Sequence, residues 1–547
     1  MGKRIGIDLG TTYSCVAYVD DMGMVKVCDN QEGEQTTPSV VFFDPNGSNA
    51  VVGSMARSEG AMNPENICER VKNYMGDPSY KFFANGTEFS AAAVSTLILK
   101  KLITDAEAAL GEQVDGVVIT CPAYFGEEAR NATKYAGESV VLDGDRHVEV
   151  LKIMDEPTAA AIAYANEKAA DMKKQVLIYD LGGGTFDCTV LNIDYTADPK
   201  VLQVICTDGN HQLGGKDWDA VLADYVRSEF CALHPECTPE DMENDPECRA
   251  WFSENIEKAK KALTKRDSTT LIPSFNGFKE KIEVTRAKFD ELTESLLQET
   301  VDLVDKMLTE KGITMANDID EIILVGGSTY MPQVKTKLEM YGKPLGQFEP
   351  NKAVAMGAAL IANRVLSVAE AEKMKAQAEA SGEDANQFQA GCLSLSAGGN
   401  APVIKEICTK SYGFKFYRDE KPLVYNIIKK GMEKPAVGQD DLNGLVFMKD
   451  HVMMDSVEVC ILENDSLEQE LSLDECVEIY APEPIKLAEP VYGDSPVHIT
   501  LKMDANGIIS FVLTDVNTGK EYEGFPKRLS DDANKAGAEE ISKMSLM

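Results

Sequence analysis

Short apolar runs and amphipathic stretches of helical length alternate along the first 366 residues. The apolar-rich run Val114–Cys121 precedes a helical pattern over 127–136, and Glu321–Val325 precedes one over 332–339. Helices that cover a sheet of buried parallel strands produce this alternation. The pattern therefore predicts an α/β domain over residues 1–366.

The pattern changes after residue 366. Residues 367–391 are polar and rich in Ala, Glu and Lys, which predicts a helical polar linker. Between 392 and 525, strict alternation such as that over 497–503 predicts half-buried strands, and Asn506-Gly507 predicts a hairpin turn. We expect an all-β sandwich there. The polar residues 526–547 predict a short tail, frayed or briefly helical.

Composition narrows the class of protein. The 547 residues carry 54 basic and 90 acidic side chains, a net charge of −36, which argues against binding nucleic acid or an anionic membrane through bulk charge. The 13 cysteines are scattered and include no C-x-x-C pair, as expected for buried thiols in a reducing compartment. No signal-like segment or bilayer-length apolar stretch is present, so we expect a cytoplasmic protein.

Two glycine-rich loops of the same kind follow apolar strands: DLGTT at 8–12 and DLGGGT at 180–185. Glycine lets backbone N–H groups approach a phosphate, and threonine hydroxyls add donors. The aspartate at the start of each loop can hold a hydrated divalent cation. One such loop is typical of an ordinary hairpin. Two matching loops predict a duplicated fold that closes on a nucleotide from both sides.

Two further patterns are compatible with a nucleoside site. The glycine turn at 326–329 follows an apolar strand, and Glu257, Lys260, Lys261 and Thr264 share one face of a predicted helix. The turn is also typical of a plain strand–helix connection. The polar face is also typical of a helix surface exposed to solvent. Taken alone, neither pattern separates these alternatives.

Six motifs together resemble the DnaK-type heat shock protein 70 chaperone family. They are IDLGTT at 7–12, PAYF at 122–125, EPTAAA at 156–161, DLGGGTFD at 180–187, LGGKD at 213–217 and VGGST at 325–329, in the family's order. Residues 504–508 and 518–521 also resemble the family's peptide-binding sandwich. The resemblance implies an actin-like ATPase domain of two ribonuclease H-like lobes, followed by a β-sandwich substrate-binding-like domain, in a divergent member that lacks the helical lid.

The resemblance also implies site residues, carried over by motif. Those implied in catalysis are Lys72, Asp8, Glu156, Asp180, Thr185 and Asp187. Those implied in holding ATP or ADP are Gly10, Thr11, Thr12, Tyr13, Gly182, Gly183, Gly184, Gly214, Gly215, Glu257, Lys260, Lys261, Thr264, Gly326, Gly327, Ser328 and Tyr330. Asp8, Asp180 and Asp187 would hold Mg²⁺ largely through water, with K⁺ as a second implied ion. Lys72 would position the attacking water.

Several positions depart from the family pattern. Lys261 and Tyr330 stand where arginines usually flank the adenine, and a tyrosine ring can stack on a base. Lys152 and Asp155 replace an arginine and an asparagine on the co-chaperone signalling surface. The family's linker is an apolar run that adds a strand to the ATPase domain, whereas residues 369–390 are polar here. Without a lid, bound peptide should leave fast.

Three functions remain open at this point. The first is a chaperone-like protein with slow ATP hydrolysis coupled to polypeptide binding. Its expected partners are unfolded or extended polypeptide, a J-domain co-chaperone and a nucleotide exchange factor, without nucleic acid or membrane. The second is a nucleotide-binding scaffold or exchange-factor-like relative with weak client binding. The third, a small-molecule kinase of the actin-like superfamily, would need a carboxylate base for its substrate hydroxyl.

Overall fold

The elements of the chain are those of a computed structural model that describes residues 2–45, 47, 49–60, 63–168, 172–197, 200–381, 402–418, 421–442, 445–446, 452–480, 485–524 and 528–546. The strands up to residue 405 are β1 Lys3–Asp8, β2 Tyr13–Val19, β3 Val25–Val27, β4 Thr37–Pro38, β5 Val40–Phe43, β6 Asn49–Val52, β7 Ile67–Glu69, β8 Phe82–Ala84, β9 Thr87–Phe89, β10 Val114–Cys121, β11 Glu149–Asp155, β12 Lys173–Leu181, β13 Phe186–Asp194, β14 Val201–Asn210, β15 Ser268–Leu271, β16 Ser274–Phe275, β17 Phe278–Lys279, β18 Ile282–Thr285, β19 Glu321–Val325, β20 Leu345–Gln347 and β21 Val403–Lys405.

The helices of the same part are α1 Ser54–Gly60, α2 Ala91–Leu110, α3 Glu127–Glu138, α4 Glu156–Lys168, α5 Gly215–Leu233, α6 Pro239–Asn244, α7 Pro246–Leu263, α8 Arg286–Glu310, α9 Met315–Asp318, α10 Pro332–Leu338, α11 Ala353–Ala362 and α12 Val368–Ser381. The remaining elements are β22 Ser411–Arg418, β23 Lys421–Ile428, β24 Ala436–Gln439, β25 Met453–Val457, β26 Ile461–Asn464, β27 Glu470–Ser472, β28 Val477–Glu478, β29 Ile485–Tyr492, β30 Val497–Met503, β31 Ile509–Asp515, β32 Glu521–Gly524, β33 Ser545–Leu546, α13 Ser530–Asn534 and α14 Ala538–Lys543.

Two six-stranded sheets dominate the N-terminal region and share one strand order. The first runs β11-β10-β1-β2-β3, with β4 paired to β2, and the second runs β20-β19-β12-β13-β14-β21. In each, an antiparallel meander is extended by two strands that run parallel to its first strand. The two glycine-rich loops occupy the same place in both sheets, because each joins the first two strands of its meander.

Helix α11 packs closely against β1 and α4 through small residues. A Cβ built on Gly357 would lie 1.8 Å from the carbonyl oxygen of Ala159, and one on Gly6 would lie 2.1 Å from the backbone nitrogen of Ala359. Both approaches therefore require glycine. The backbones of β1 and α11 are therefore in direct contact, and β1 is the strand that leads into the first glycine-rich loop.

The C-terminal region is rich in strands, as the alternation predicts. A five-stranded sheet, β27-β23-β22-β26-β28, and a four-stranded sheet, β24-β30-β31-β32, enclose a shared apolar core. Alternate residues of β30 are buried. The expected turn follows it, with Gly507 at φ 83° and the Asp504 carboxylate accepting from two backbone N–H groups of the turn.

Helix α12 lies within the stretch predicted as a helical linker, and residues 382–391 lie outside the described residues. A strand that the sequence did not predict follows this stretch: β21 pairs in parallel with β14, from Val201↔Val403 to Gln203↔Lys405. This short strand lies beyond the polar stretch, within the range predicted as sandwich.

A network of buried charges joins the C-terminal region to the first sheet. Asp155, at the end of β11, forms an ion pair with Arg130 of α3 and lies 3.5 Å from Lys434 Nζ. Lys152 Nζ lies 3.6 Å from the Glu406 carboxylate and donates to the backbone oxygen of Ala505 at 3.2 Å. Lys152 and Asp155 are therefore anchors of this interface.

The C-terminal tail is briefly helical, which is the second of its two predicted alternatives. Residues 528–546 form α13, α14 and β33, and β33 pairs in parallel with β6. Ile541 and Met544 are buried in the core of the N-terminal region. Burying these two apolar side chains offsets the cost of ordering the segment. Within the described parts of the chain, no helix is long and apolar enough to cross a membrane.

Candidate nucleotide-binding site

A deep cleft with a volume of about 1030 Å³ lies between the two sheets and the helices that cover them. The predicted residues that line it are Asp8, Gly10, Thr11, Thr12, Tyr13, Lys72, Glu156, Asp180, Gly182, Gly183, Thr185, Glu257, Lys260, Lys261, Thr264, Gly326, Gly327, Ser328 and Tyr330. The structure therefore brings motifs from widely separated parts of the chain to one cavity.

Four predicted residues lie behind this lining. Asp187 is buried on β13, directly opposite Asp180 of β12. Gly184 and Gly214 contact each other, because a Cβ on Gly214 would lie 2.5 Å from the Gly184 carbonyl carbon. Gly215 packs against Ser328, whose hydroxyl would be 2.4 Å from a Cβ at that position. These glycines set the spacing of the backbone that forms the wall.

The two glycine-rich loops face each other across the cleft. A Cβ on Gly183 would lie 2.2 Å from Thr12 Oγ1, and one on Gly184 would lie 2.6 Å from Thr11 Cγ2. The third turn is tied to the second loop, since Ser328 Oγ donates to the Gly182 carbonyl oxygen at 2.7 Å. Backbone N–H groups and hydroxyls from both sheets can thus converge on one phosphate chain.

We expect Gly183→Ala to weaken ATP binding by about tenfold or more, because the added methyl group forces the two loops apart; overpacking of this kind costs about 1–3 kcal/mol. The measurement is the dissociation constant for ATP by calorimetry, with the nucleotide-free melting temperature recorded beside it. An unchanged dissociation constant would show that the loops need not approach this closely to hold the nucleotide.

A buried lysine–glutamate pair lies at the base of the cleft. Lys72, on the 3₁₀ turn Val71–Tyr74, donates to the carboxylate of Glu156 at the start of α4, and both side chains are less than 10 % exposed. Burial alone disfavours the ammonium, but the carboxylates of Glu156 and Asp8 raise the pKa of Lys72 above its ordinary value. Lys72 therefore stays charged at neutral pH.

Three buried aspartates lie close to this pair. Burial and the neighbouring Glu156 carboxylate raise the pKa of Asp8 to about 7 and hold the pKa values of Asp180 and Asp187 well above their usual range. One Asp187 oxygen is buried without a hydrogen-bond partner among the described residues. Excess negative charge and an unpaired oxygen fit a hydrated divalent cation, for which carboxylates and water are suitable ligands. Within the described residues, no three such side chains converge on one ion directly.

Tyr13 of β2 also lines the cleft and contacts helix α7. Its hydroxyl donates to Glu257 Oε1 at 3.1 Å and accepts from Lys261 Nζ at 3.0 Å. The ring is flanked by Lys261 Nζ, 4.6 Å from its centroid, and by the Arg57 guanidinium, 5.1 Å away. A cation over the face of an aromatic ring is attracted to the ring electrostatically. A residue of the first sheet is thereby tied to helix α7, across the mouth of the cavity.

The third turn positions Tyr330 at the rim. Gly326 has φ 82°, and a Cβ there would lie 2.3 Å from the Leu181 carbonyl oxygen, so this turn requires glycine. Tyr330 is 45 % exposed, and its hydroxyl donates to Asn351 Oδ1 at 3.2 Å. Tyr330 does not cap the next helix, because α10 begins after Met331 without a side-chain cap. The exposed face of the Tyr330 ring can therefore stack on a planar ligand.

Sequence reasoning missed several residues of the lining. Arg57 of α1, Arg70 before the Lys72 turn and Asp219 of α5 line the cleft as well. Asp219 accepts from Lys260 Nζ at 2.7 Å and so fixes that predicted residue. The motifs carry no signal for Arg57, because its place depends on how α1 packs on β5.

One comparison with known proteins bears on this site. A family model described as Hsp70 protein matches residues 4–81 and 77–376. The matched residues include every residue that lines the cleft.

Proposed function

The chain belongs to the Hsp70 protein family, and from this we propose that it is an ATP-dependent, chaperone-like protein. In this proposal, the N-terminal region binds Mg-ATP and hydrolyses it slowly, and the C-terminal region binds extended polypeptide. Members of the family are ATPases that bind clients and co-chaperones, which supports the general class. A cytoplasmic location is part of the proposal and agrees with the free thiols of the described cysteines.

The pair of opposed glycine-rich loops carries the nucleotide part of the proposal. Thr11 and Thr12 would donate to the phosphates from one sheet, and Gly183 with Thr185 from the other. Asp8, Asp180 and Asp187 would hold Mg²⁺ through water, and the ion when bound would neutralise phosphate charge. Lys261 and Tyr330 would lie on the two faces of the adenine, in place of the family's arginines.

Lys72 has the role closest to the reaction in this proposal. Its ammonium would orient the water that attacks the γ-phosphate and offset the charge that develops there. Glu156 would hold Lys72 in place, since their ion pair is buried on both sides. A preorganised donor in a dry site stabilises developing charge more than the same donor in water.

Two consecutive residues support coupling between the cleft and the C-terminal region. Glu156 faces the cleft and pairs with Lys72, whereas Asp155 faces the interface and pairs with Arg130 and Lys434. Both lie at the junction of β11 and α4. A shift of this junction when the γ-phosphate leaves would therefore act on both sites at once.

The second candidate function, a nucleotide-binding scaffold, is favoured by one observation. The C-terminal residues 528–546 tie the C-terminal region to the N-terminal region through contacts outside the cleft. A tie of this kind would hold the two regions together whichever nucleotide is bound.

Release of a labelled extended peptide separates the two functions. We expect release to be about tenfold faster with ATP than with ADP if the regions are coupled. A Lys72→Ala variant should show the same acceleration with ATP, since binding rather than hydrolysis would drive it. Equal release rates with both nucleotides would refute the coupling and leave the scaffold.

A further inference from the structure

Residues 528–546, which we name the C-terminal clasp, begin on the C-terminal region. The Leu529 backbone N–H donates to the Ile479 carbonyl oxygen at 3.3 Å, and the Arg528 guanidinium lies 5.8 Å from the centroid of the Tyr480 ring. Arg528 Nε also donates to Glu127 Oε1 of α3 at 2.5 Å. The first residues of the clasp therefore contact both regions of the protein.

The middle of the clasp lies along α3 and the start of α2. Ser530 donates to the Glu128 carboxylate, and Ser90, the N-cap of α2, donates from its hydroxyl to the Asn534 carbonyl oxygen at 2.9 Å. The Ser90 backbone N–H donates to the Ala536 oxygen at 3.1 Å. Gly537 then turns the chain at φ 76°, where a Cβ would lie 2.3 Å from the Phe89 ring.

The end of the clasp fills a groove between β6 and α2. Helix α14 packs against α2, and Ile541 and Met544 are 3 % and 7 % exposed in the core of the N-terminal region. The pairing of β33 with β6 joins Ser545 to Asn49 and Leu546 to Ala50. Lys100 Nζ donates to the Met544 carbonyl oxygen at 3.1 Å. Proteins commonly bind peptides by adding them as a strand to a sheet edge while apolar side chains of the peptide fill pockets.

We propose that the groove between β6 and α2 is a peptide-binding site whose ligand is residues 537–546 of the same chain, and that its occupancy holds the C-terminal region on the N-terminal region. Residues 537–546 are joined through the chain to Arg528 and Leu529, which contact the C-terminal region, so their release frees one of the ties between the regions. Its contacts on β6, α2 and α3 involve no residue that lines the nucleotide cleft. The proposed peptide site is therefore spatially separate from the nucleotide cleft.

Hydrogen exchange on the full chain tests this site with a matched pair of variants. Ile541→Asp places a charge in the groove, whereas Ser542→Asp places the same charge on the adjacent exposed residue. We expect Ile541→Asp to raise amide exchange in β6 and in residues 90–100 by about tenfold or more, and Ser542→Asp to leave it unchanged. Amide exchange in residues 153–155, at the interface with the C-terminal region, should rise in Ile541→Asp together with that in β6.

A synthetic peptide of residues 537–547 provides the second measurement. Added to the Ile541→Asp chain, it should restore protection in β6 in a saturable way. A longer peptide of residues 528–547 should in addition restore protection in residues 153–155. Unchanged exchange in Ile541→Asp would overturn the proposal. So would a rise that is equal across the whole chain and that the peptide does not reverse, since the segment would then be ordinary core.

Discussion

Replacing Lys72 with alanine is expected to slow single-turnover ATP hydrolysis by about 10²–10³-fold while ATP still binds. The reason is that a donor aimed at developing charge contributes roughly 3–4 kcal/mol to the transition state and little to the ground state. Lys72 is charged, buried and held in place by Glu156, so its ammonium is already oriented before the reaction begins. The measurement is phosphate release after rapid mixing with ATP, together with the dissociation constant for ATP.

Lys101→Ala provides the matched control for this variant. Lys101 is also a buried lysine, and it pairs with Asp105 at 2.8 Å on α2, away from the residues that line the cleft. Loss of that pair should lower stability without slowing hydrolysis. If both variants slow hydrolysis equally, the effect of Lys72 is structural, and the residue has no catalytic role.

The second large effect is expected from Asp155→Ala, which should detach the C-terminal region from the first sheet. The change leaves Arg130 and Lys434 buried without their shared carboxylate, and removing one partner of a buried ion pair costs roughly 3–5 kcal/mol. Detachment should appear as increased amide exchange in the turn 504–507 and as a larger radius of gyration in X-ray scattering.

The double variant Asp155→Ala/Lys434→Met sharpens this test. Removing the second cation relieves one of the two uncompensated charges, so part of the lost docking should return. Lys434→Met alone should have a smaller effect than Asp155→Ala, because Arg130 keeps its carboxylate partner. If the double variant is no better docked than Asp155→Ala, the interface does not depend on this ion pair.

The sequence predicted the parts of the fold that local patterns encode. The glycine-rich loops follow apolar strands and the alternation over 497–503 matches the burial of β30, because strand period and turn chemistry are properties of neighbouring residues. The part of the cleft formed by the three glycine turns could be anticipated for the same reason, since each of them follows an apolar strand. The roles of the individual site residues stay predictions.

Long-range pairings escaped sequence reasoning. Strand β21 has three residues and is stabilised by the exposed edge of β14, which no local pattern reveals. Ile541 and Met544 stand in a polar tail, and their burial depends on a groove built from the first hundred residues. Lys152 and Asp155 lie in the N-terminal region, but their partners Glu406 and Lys434 come from the other region, which no local pattern indicates.

The pairing of β33 with β6 also bears on how the chain is made. Lys100 and Met544, which the clasp joins by a hydrogen bond, are 444 positions apart. A ribosome releases β6 and α2 early, and their groove then stays open until residues 541–546 have been synthesised. The nascent N-terminal region therefore presents an unpaired strand edge while the residues between α2 and α14 are being synthesised. Chains truncated before residue 541 should therefore aggregate or bind other chaperones more than the full chain does.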